Sequence, residues 1–313
     1  MADIAYIFPG QASQFVGMAR DLHDAHESVR ALFARADEVL EFALSEVCFN
    51  GPEEQLLQTA VTQPAVFVHS VAAYQLLEER GLQPACVAGH SLGEYSALVA
   101  AGALDFEAAL ALVKERSRAM QEAGQVQPGA MAALIGPADD EVVALCEQAA
   151  DAGIVVAANF NAPGQVVASG EKAAIARLGE LAAAAGVKRF VELPVSGAFH
   201  SPLMQLAADR MRGLLAAAPL RAPRVPVITN VSAAPVEDPD VLRRDLIEQI
   251  THAVRWTESM NALVATGVDS AVEVGPGAVL KGLMRRIARD VPVLSAGGVE
   301  EIELTVSQLE GKS

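Results

Sequence analysis

The chain has 313 residues, 52% hydrophobic and only 20% charged, enough to bury a substantial core and too many for a minimal single-layer domain. A formal net charge of −16 and a pI near 4.8 exclude broad binding to nucleic acid or anionic lipid, so an acidic partner must find a local basic patch. No run of about 18 apolar residues lacks a charge or a helix breaker, and MADIAYIFPG has no basic region ahead of its short apolar run; the expectation is a cytoplasmic protein with no membrane partner, taken as a monomer. The first predicted strand is Ile4 to Phe8, and an apolar-periodic helix follows from Ala65 to Arg80, stopped by Gly81. A second strand runs from Ala85 to Gly89 and a second helix over LGEYSALVAA, ended by Gly102.

From about Gln127 to Ser196 the rhythm changes. Strand (Met131 to Ile135), helix (Asp139 to Ala149), strand (Ile154 to Ala158), strand (Gln165 to Ser169), helix (Glu171 to Ala185) and strand (Arg189 to Pro194) give the β-α-β-β-α-β order of a ferredoxin-like unit. GQVQPG at its entry and PVSG at its exit mark it as an insertion, with 127–196 as a small domain and 1–126 plus 197–313 as a discontinuous large one. Further strands are predicted at Val225 to Asn230, Ala271 to Val274 and Val291 to Leu294, and the final EGKS should fray. The alternation of apolar strands with helices predicts an α/β fold with a mostly parallel sheet. Cys48, Cys86 and Cys146 are widely spaced in apolar surroundings and read as buried free thiols, with neither a disulfide framework nor a metal site expected.

Gly89-His90-Ser91-Leu92-Gly93 carries the first chemical signal. A G-x-S-x-G run after an apolar strand and before a helix is a nucleophile elbow, and the helix start points its dipole and the Leu92 amide at the space above Ser91. Serine needs a base. Six histidines compete: His23 and His26 in a polar segment expected to be solvated, His69 inside a helix as a core residue, His90 beside the nucleophile, His200 in a loop beyond the insertion, and His252. Leu112, Arg116 and Met120 recur at i, i+4, i+8, which turns Arg116 inward with no acidic residue three or four positions away; Arg118 has Glu115 and Glu122. A buried guanidinium needs a counter-charge, either from elsewhere in the fold or from a bound carboxylate.

FPGQASQ, VTQPAVF, GHSLGEYSALVAAG, KERSRAMQEA, NFNAPGQVVASG, LPVSGAFHSPLM and VEVGPGAVLKGLMRRI, in this order from about residue 4 to 297, resemble the malonyl-CoA:acyl carrier protein transacylases of fatty-acid synthesis. The resemblance implies an α/β-hydrolase-like large domain beside the ferredoxin-like insertion, and an acyltransferase with no bound cofactor whose substrate is a coenzyme A thioester, malonyl-CoA. It implies that Ser91 is acylated, that His200 is its base, that Gln11 and the Leu92 amide form the oxyanion hole, and that Gln249 orients the histidine. It implies further that Arg116 pairs with the malonyl carboxylate, that Phe199 crowds a 2-methyl branch, and that Gln63, Asn159 and Asn161 line the cleft. Three positions depart from the family pattern: Ala12 stands for the second glycine of FPGQGSQ, Ser117 for the glycine after the arginine, and Ala253, in the QITHAVRW that holds Gln249, for the proline more often found before the valine.

Lys281, Arg285, Arg286 and Arg289, spaced i, i+4, i+5, i+8 after GPG, form a basic face that is either solvated or a dock for the acidic carrier protein. Transacylases of malonate decarboxylation or polyketide assembly would share these residues. A serine hydrolase on the same elbow would normally need an orienting acid, and a non-catalytic scaffold would have no use for Ser91, His200 and Arg116 together.

Overall fold

The computed structural model describes residues 3–195 and 197–311; Ser196, the expected end of the insertion, and the last two residues of the EGKS tail lie outside them. Ten strands occur among the described residues: β1 (Ile4–Phe8), β2 (Cys86–Gly89), β3 (Gly129–Ile135), β4 (Val155–Ala162), β5 (Gln165–Glu171), β6 (Arg189–Glu192), β7 (Val227–Ile228), β8 (Pro235–Val236), β9 (Ser270–Val274) and β10 (Val293–Ala296). They form a six-stranded sheet of order β10-β9-β1-β2-β7-β8, parallel except for β8, and a separate four-stranded antiparallel sheet of order β4-β5-β3-β6. The latter is the ferredoxin-like order. The expected α/β class, a mostly parallel sheet beside that unit, is the observed one.

Both faces of the six-stranded sheet are covered, which is why its central strands are apolar at nearly every position. Pleating divides β1 between two cores: Ile4, Tyr6 and Phe8 enter one, Ala5 and Ile7 the other. β2 and β9 repeat the division, with Val87, Val272 and Val274 on the first side and Cys86, Ala88 and Ala271 on the second. The four-stranded sheet is different. Helices Asp139–Ala149 and Lys172–Ala184 bury Ala132, Leu134, Val166 and Ala168 on one face, while Met131, Ala133 and Val167 on the other join the core of the large sheet. Its edge strand β4 is tied to the large lobe by Val254 N donating to Ala158 O and Phe160 N donating to Val254 O, both at 2.9 Å.

Several boundaries differ from expectation for identifiable reasons. The helix predicted from Ala65 begins at Thr59 and carries Pro64 within it; burial of nearly its whole length outweighs the hydrogen bond that proline removes. Gly81 follows that helix at φ +74°, as a cap requires. The strand expected over Val225 to Asn230 is reduced to Val227–Ile228, because Thr229 and Asn230 turn their polar groups to other partners. The last strand lies at Val293–Ala296, not Val291 to Leu294, since Pro292 has no N–H to donate and offers only its carbonyl, to Ala271 N. The final helix, Val299–Glu310, takes in the first residue of the tail expected to fray. Among the described residues no helix is long and apolar enough to cross a membrane.

Candidate active site

Ser91 follows β2 with φ +52°, a left-handed conformation uncommon for a residue with a Cβ. The flanking glycines are obligatory here. A Cβ on Gly89 would lie 1.9 Å from Gly93 C, and one on Gly93 would lie 2.2 Å from Phe8 O. The strained turn is held from the neighbouring strand: Asn230, just past β7, accepts from Ser91 N through Oδ1 at 2.7 Å and donates through Nδ2 to Gly89 O at 2.7 Å. On the other side β1 pairs with β2 in the register Phe8↔Gly89, so Pro9-Gly10-Gln11 runs beside His90-Ser91-Leu92. Gln11 and Leu92 consequently line one cavity of about 210 Å³ with Ser91, and the Leu92 amide is one of the unpaired donors at the start of helix Gly93–Ala100.

Of the six histidines, His200 alone reaches the nucleophile. Its Nε2 lies 2.8 Å from Ser91 Oγ, and its Nδ1 lies 2.7 Å from Gln249 O. Because Nδ1 faces a carbonyl it carries the proton, which leaves the Nε2 lone pair for the serine hydroxyl. Burial, and then the charge of Arg116, lower the His200 pKa to about 3, so the imidazole is neutral throughout the physiological range. Gln249, expected to orient the histidine, meets the imidazole through its main-chain carbonyl and not its amide. The amide instead accepts from Arg116 Nη2 at 2.8 Å and donates to Ser91 O at 3.0 Å and to Glu94 Oε2 at 2.6 Å.

Arg116 is fully buried on helix Phe106–Val126, on the same stripe as Leu112 and Met120. Its Nη1 donates to Gln63 Oε1 at 2.7 Å, its Nη2 to Gln249 Oε1 and, at 3.1 Å, to Ser91 Oγ, and the guanidinium lies 5.7 Å from the centre of the Tyr95 ring. Its hydrogen-bond partners are neutral oxygens. Among the described residues no carboxylate forms an ion pair with it, and Nε has no partner. Glu94 is joined to it only through the Gln249 amide, and burial lifts the Glu94 pKa to about 8. The cavity thus holds a nucleophile, a neutral base and a cation without a counter-ion, able to bind an acyl group bearing a carboxylate.

Residues 5–304 match the family described as acyl transferase domain. The chain belongs to this family. It is 44% identical over 311 residues to the malonyl CoA-acyl carrier protein transacylase of Escherichia coli strain K12, covering 99% of this chain and 100% of the relative. It is 42% identical over 311 residues to the protein of the same name from Bacillus subtilis strain 168, covering 99% of this chain and 98% of the relative. Among solved structures, a malonyl-transacylase in complex with a type II PKS acyl-carrier protein superposes with a TM-score of 0.95 at 40% identity, covering 98% of this chain and 100% of that one.

The remaining predicted residues of this acyl transferase divide into those at the cavity and those away from it. Phe199, Gln63, Asn159 and Asn161 line it, but Asn161 Oδ1 is occupied by His90 Nε2 at 2.8 Å, which ties the elbow to β4. The basic residues do not form one helical stripe. Helix Val279–Ile287 stops before Arg289, Lys281 Nζ is drawn to Ser295 Oγ at 3.2 Å, and Arg286 reaches the β4–β5 hairpin, donating to Gln165 Oε1 at 2.6 Å and Pro163 O at 2.5 Å. Arg285, Arg286 and Arg289 are all exposed. His23 is not simply solvated, since its ring packs against Phe33 and Phe49, and the three cysteines are buried and free as expected. Two residues that hydrogen-bond within the site lie outside the sequence expectations: Asn230, signalled only by a polar residue at the end of a strand in a parallel sheet, and Glu94, which reads as an ordinary first-turn acid.

Proposed function

We propose that this acyl transferase takes a malonyl group from malonyl-CoA onto Ser91 Oγ and passes it to the pantetheine thiol of an acyl carrier protein. The observation that carries this reading is Arg116, a buried cation without a counter-ion 3.1 Å from the nucleophile. His200 Nε2 takes the Ser91 proton as Oγ attacks the thioester carbonyl, and the Leu92 amide with Gln11 holds the oxyanion. Collapse of the adduct breaks the C–S bond, and the coenzyme A sulfur leaves with the proton returned by His200. The carrier thiol then repeats these steps in reverse order, giving up its proton to His200 and leaving Ser91 protonated again. The thioester is substrate, and the scheme asks for no resident cofactor.

The names of the Escherichia coli and Bacillus subtilis relatives support the malonyl group and the carrier protein; fatty-acid synthesis in the cytoplasm is the first reading of where the reaction serves. The likeness to a transacylase bound to a type II PKS carrier protein favours, as a second reading, supply to polyketide assembly. Intact-protein mass spectrometry tests the core of the proposal: malonyl-CoA should give a stable adduct that a pantetheine thiol discharges, and Ser91→Ala should give none. An adduct that hydrolyses without thiol would indicate a hydrolase. Arg116→Ala should lower the ratio of malonyl to acetyl transfer by about 10²-fold, the scale of a charge-assisted bond lost only from the substrate that has the carboxylate. An unchanged ratio removes Arg116 from substrate recognition.

A further inference from the structure

The aim of the Arg116 guanidinium depends on how the Gln249 amide is turned, because Nη2 is shared between Gln249 Oε1 and Ser91 Oγ. An amide turns over freely when its two ends meet similar groups. Here they do not. Gln249 Nε2 spends its two hydrogens on Ser91 O and Glu94 Oε2, both acceptors, while Oε1 meets only the donors of Arg116. Turned over, the amide would set N–H against the Arg116 N–H groups and oxygen against Ser91 O, and Glu94 Oε2, which also accepts from Asn230 N at 3.3 Å, meets it as an acceptor with the acid proton on Oε1. The shortest of these contacts, 2.6 Å, is to Glu94, in the first turn of helix Gly93–Ala100. Glu94 is 1% exposed, and its other oxygen, Oε1, has no hydrogen-bond partner among the described residues.

We propose that Glu94 is a positioning residue for acyl selection: it locks the Gln249 amide so that Arg116 stays aimed at the acyl site and available to the substrate carboxylate. The proposal rests on the malonyl reading above. A carboxylate with one unpartnered oxygen in a dry site is far costlier than a carboxylic acid there. Burial is the largest influence and raises the pKa to about 8; the donors Gln249 Nε2 and Asn230 N lower it, Asp245 on helix Pro239–Glu248 raises it, and Arg116 across the amide lowers it. Were Glu94 ionised, a negative charge one amide away would offset the guanidinium and weaken its hold on malonate. Malonyl binding should therefore weaken as pH rises through the Glu94 pKa, whereas acetyl binding should not.

Steady-state transfer from malonyl-CoA and from acetyl-CoA, measured across neutral and alkaline pH for wild type, Glu94→Gln, Glu94→Ala and Arg116→Ala, tests this. In wild type the KM for malonyl-CoA should rise as pH passes about 8, while that for acetyl-CoA stays level. Glu94→Gln, which still offers a carbonyl to Gln249 but cannot ionise, should keep the neutral-pH malonyl preference within about threefold and lose the alkaline rise. Glu94→Ala should cut the malonyl-to-acetyl ratio of kcat/KM by roughly tenfold, mainly through KM, as when one hydrogen bond to a charged network is removed. A wild-type ratio in Glu94→Ala, or a wild-type alkaline rise in Glu94→Gln, overturns the proposal; if Glu94→Ala does not fold, the Glu94→Gln profile decides. Failure of the malonyl reading is distinct, because Arg116→Ala would then leave the ratio unchanged whatever Glu94 does.

Discussion

The two sheets meet the cavity in different ways. The six-stranded sheet is covered on both faces and presents the carboxyl ends of β1, β2 and β7, whose loops carry Gln11, Ser91 and Asn230; Arg116, His200 and Gln249 converge on the same point from helices and loops packed around it. The four-stranded sheet has helices on one face only and leaves Met131 and Val167 as an apolar wall, with Asn159 and Asn161 from its edge strand. Every hydrogen bond to Ser91 Oγ comes from outside the four-stranded sheet. The comparison teaches that parallel register fixes the turn that carries Ser91 while helices and loops around the sheet bring His200 and Arg116 to it, and that the antiparallel sheet shapes the room left beside them.

The harshest way to break this division is to remove the base. His200→Ala should slow formation of the acyl-enzyme by about 10²- to 10⁴-fold with malonyl-CoA and acetyl-CoA alike, measured in single turnovers, because the proton step does not depend on the acyl chain. A loss confined to one substrate would place part of the chemistry in the wall. The pH profile sharpens the point. With its pKa lowered to about 3, the free-enzyme imidazole is already a base at pH 5, so kcat/KM for acetyl-CoA should show no acid limb between pH 7 and pH 5. The same shift makes the fold acid-sensitive: the unfolded histidine takes up a proton near pH 6.5 and the folded one does not, so this contribution to stability is present above 6.5 and is lost as pH falls toward 3.

Asn230→Ala should come next. It removes both hydrogen bonds that hold the left-handed turn, and a nucleophile displaced by 1 Å costs about 10²-fold in kcat, again for both substrates. Comparing wild type with the variant by thermal melting separates a displaced serine from an unfolded protein. Val167→Ala should be milder and of a different kind. Deleting two methyl groups from the wall should change malonyl transfer by less than about tenfold while raising the relative rate with bulkier acyl groups, read out by competition between acyl-CoA substrates.

Much of this site was legible in the sequence because its signals are local. The elbow is a contiguous motif between an apolar strand and a helix, and Arg116 betrays its direction through Leu112 and Met120 on one stripe. The ferredoxin-like order was legible for the same reason, since each strand and helix has its own period. What escaped depends on residues distant in the chain. Asn230 matters only because β7 pairs with β2, 139 residues from the serine it holds. That Gln249 meets His200 through a carbonyl is a main-chain direction no side-chain pattern encodes. Arg289 does not share the helical stripe because the helix ends at Ile287, and Arg286 finds acceptors on a hairpin of the other sheet, a contact no spacing along the helix encodes.

The smallest expected effect concerns Ala12, where the related family pattern has glycine. Ala12 sits at φ +82° directly after Gln11, exposed, with its amide donating to Gln14 Oε1 at 2.8 Å. A left-handed backbone costs a residue with a Cβ about 1–2 kcal/mol, whereas glycine adds roughly 0.5–1 kcal/mol of chain entropy to be lost on folding, so Ala12→Gly should be neutral to stabilising by about 1 kcal/mol. For a chain of this size that is a rise in Tm of about 0–4 °C by calorimetry. The kinetic outcome bears on the comparison between the sheets. If β1–β2 register aims Gln11, relieving the strain should leave kcat within about twofold of wild type, since no oxyanion donor has moved. A larger change in either direction would mean that the turn itself, strained by alanine, sets where Gln11 points.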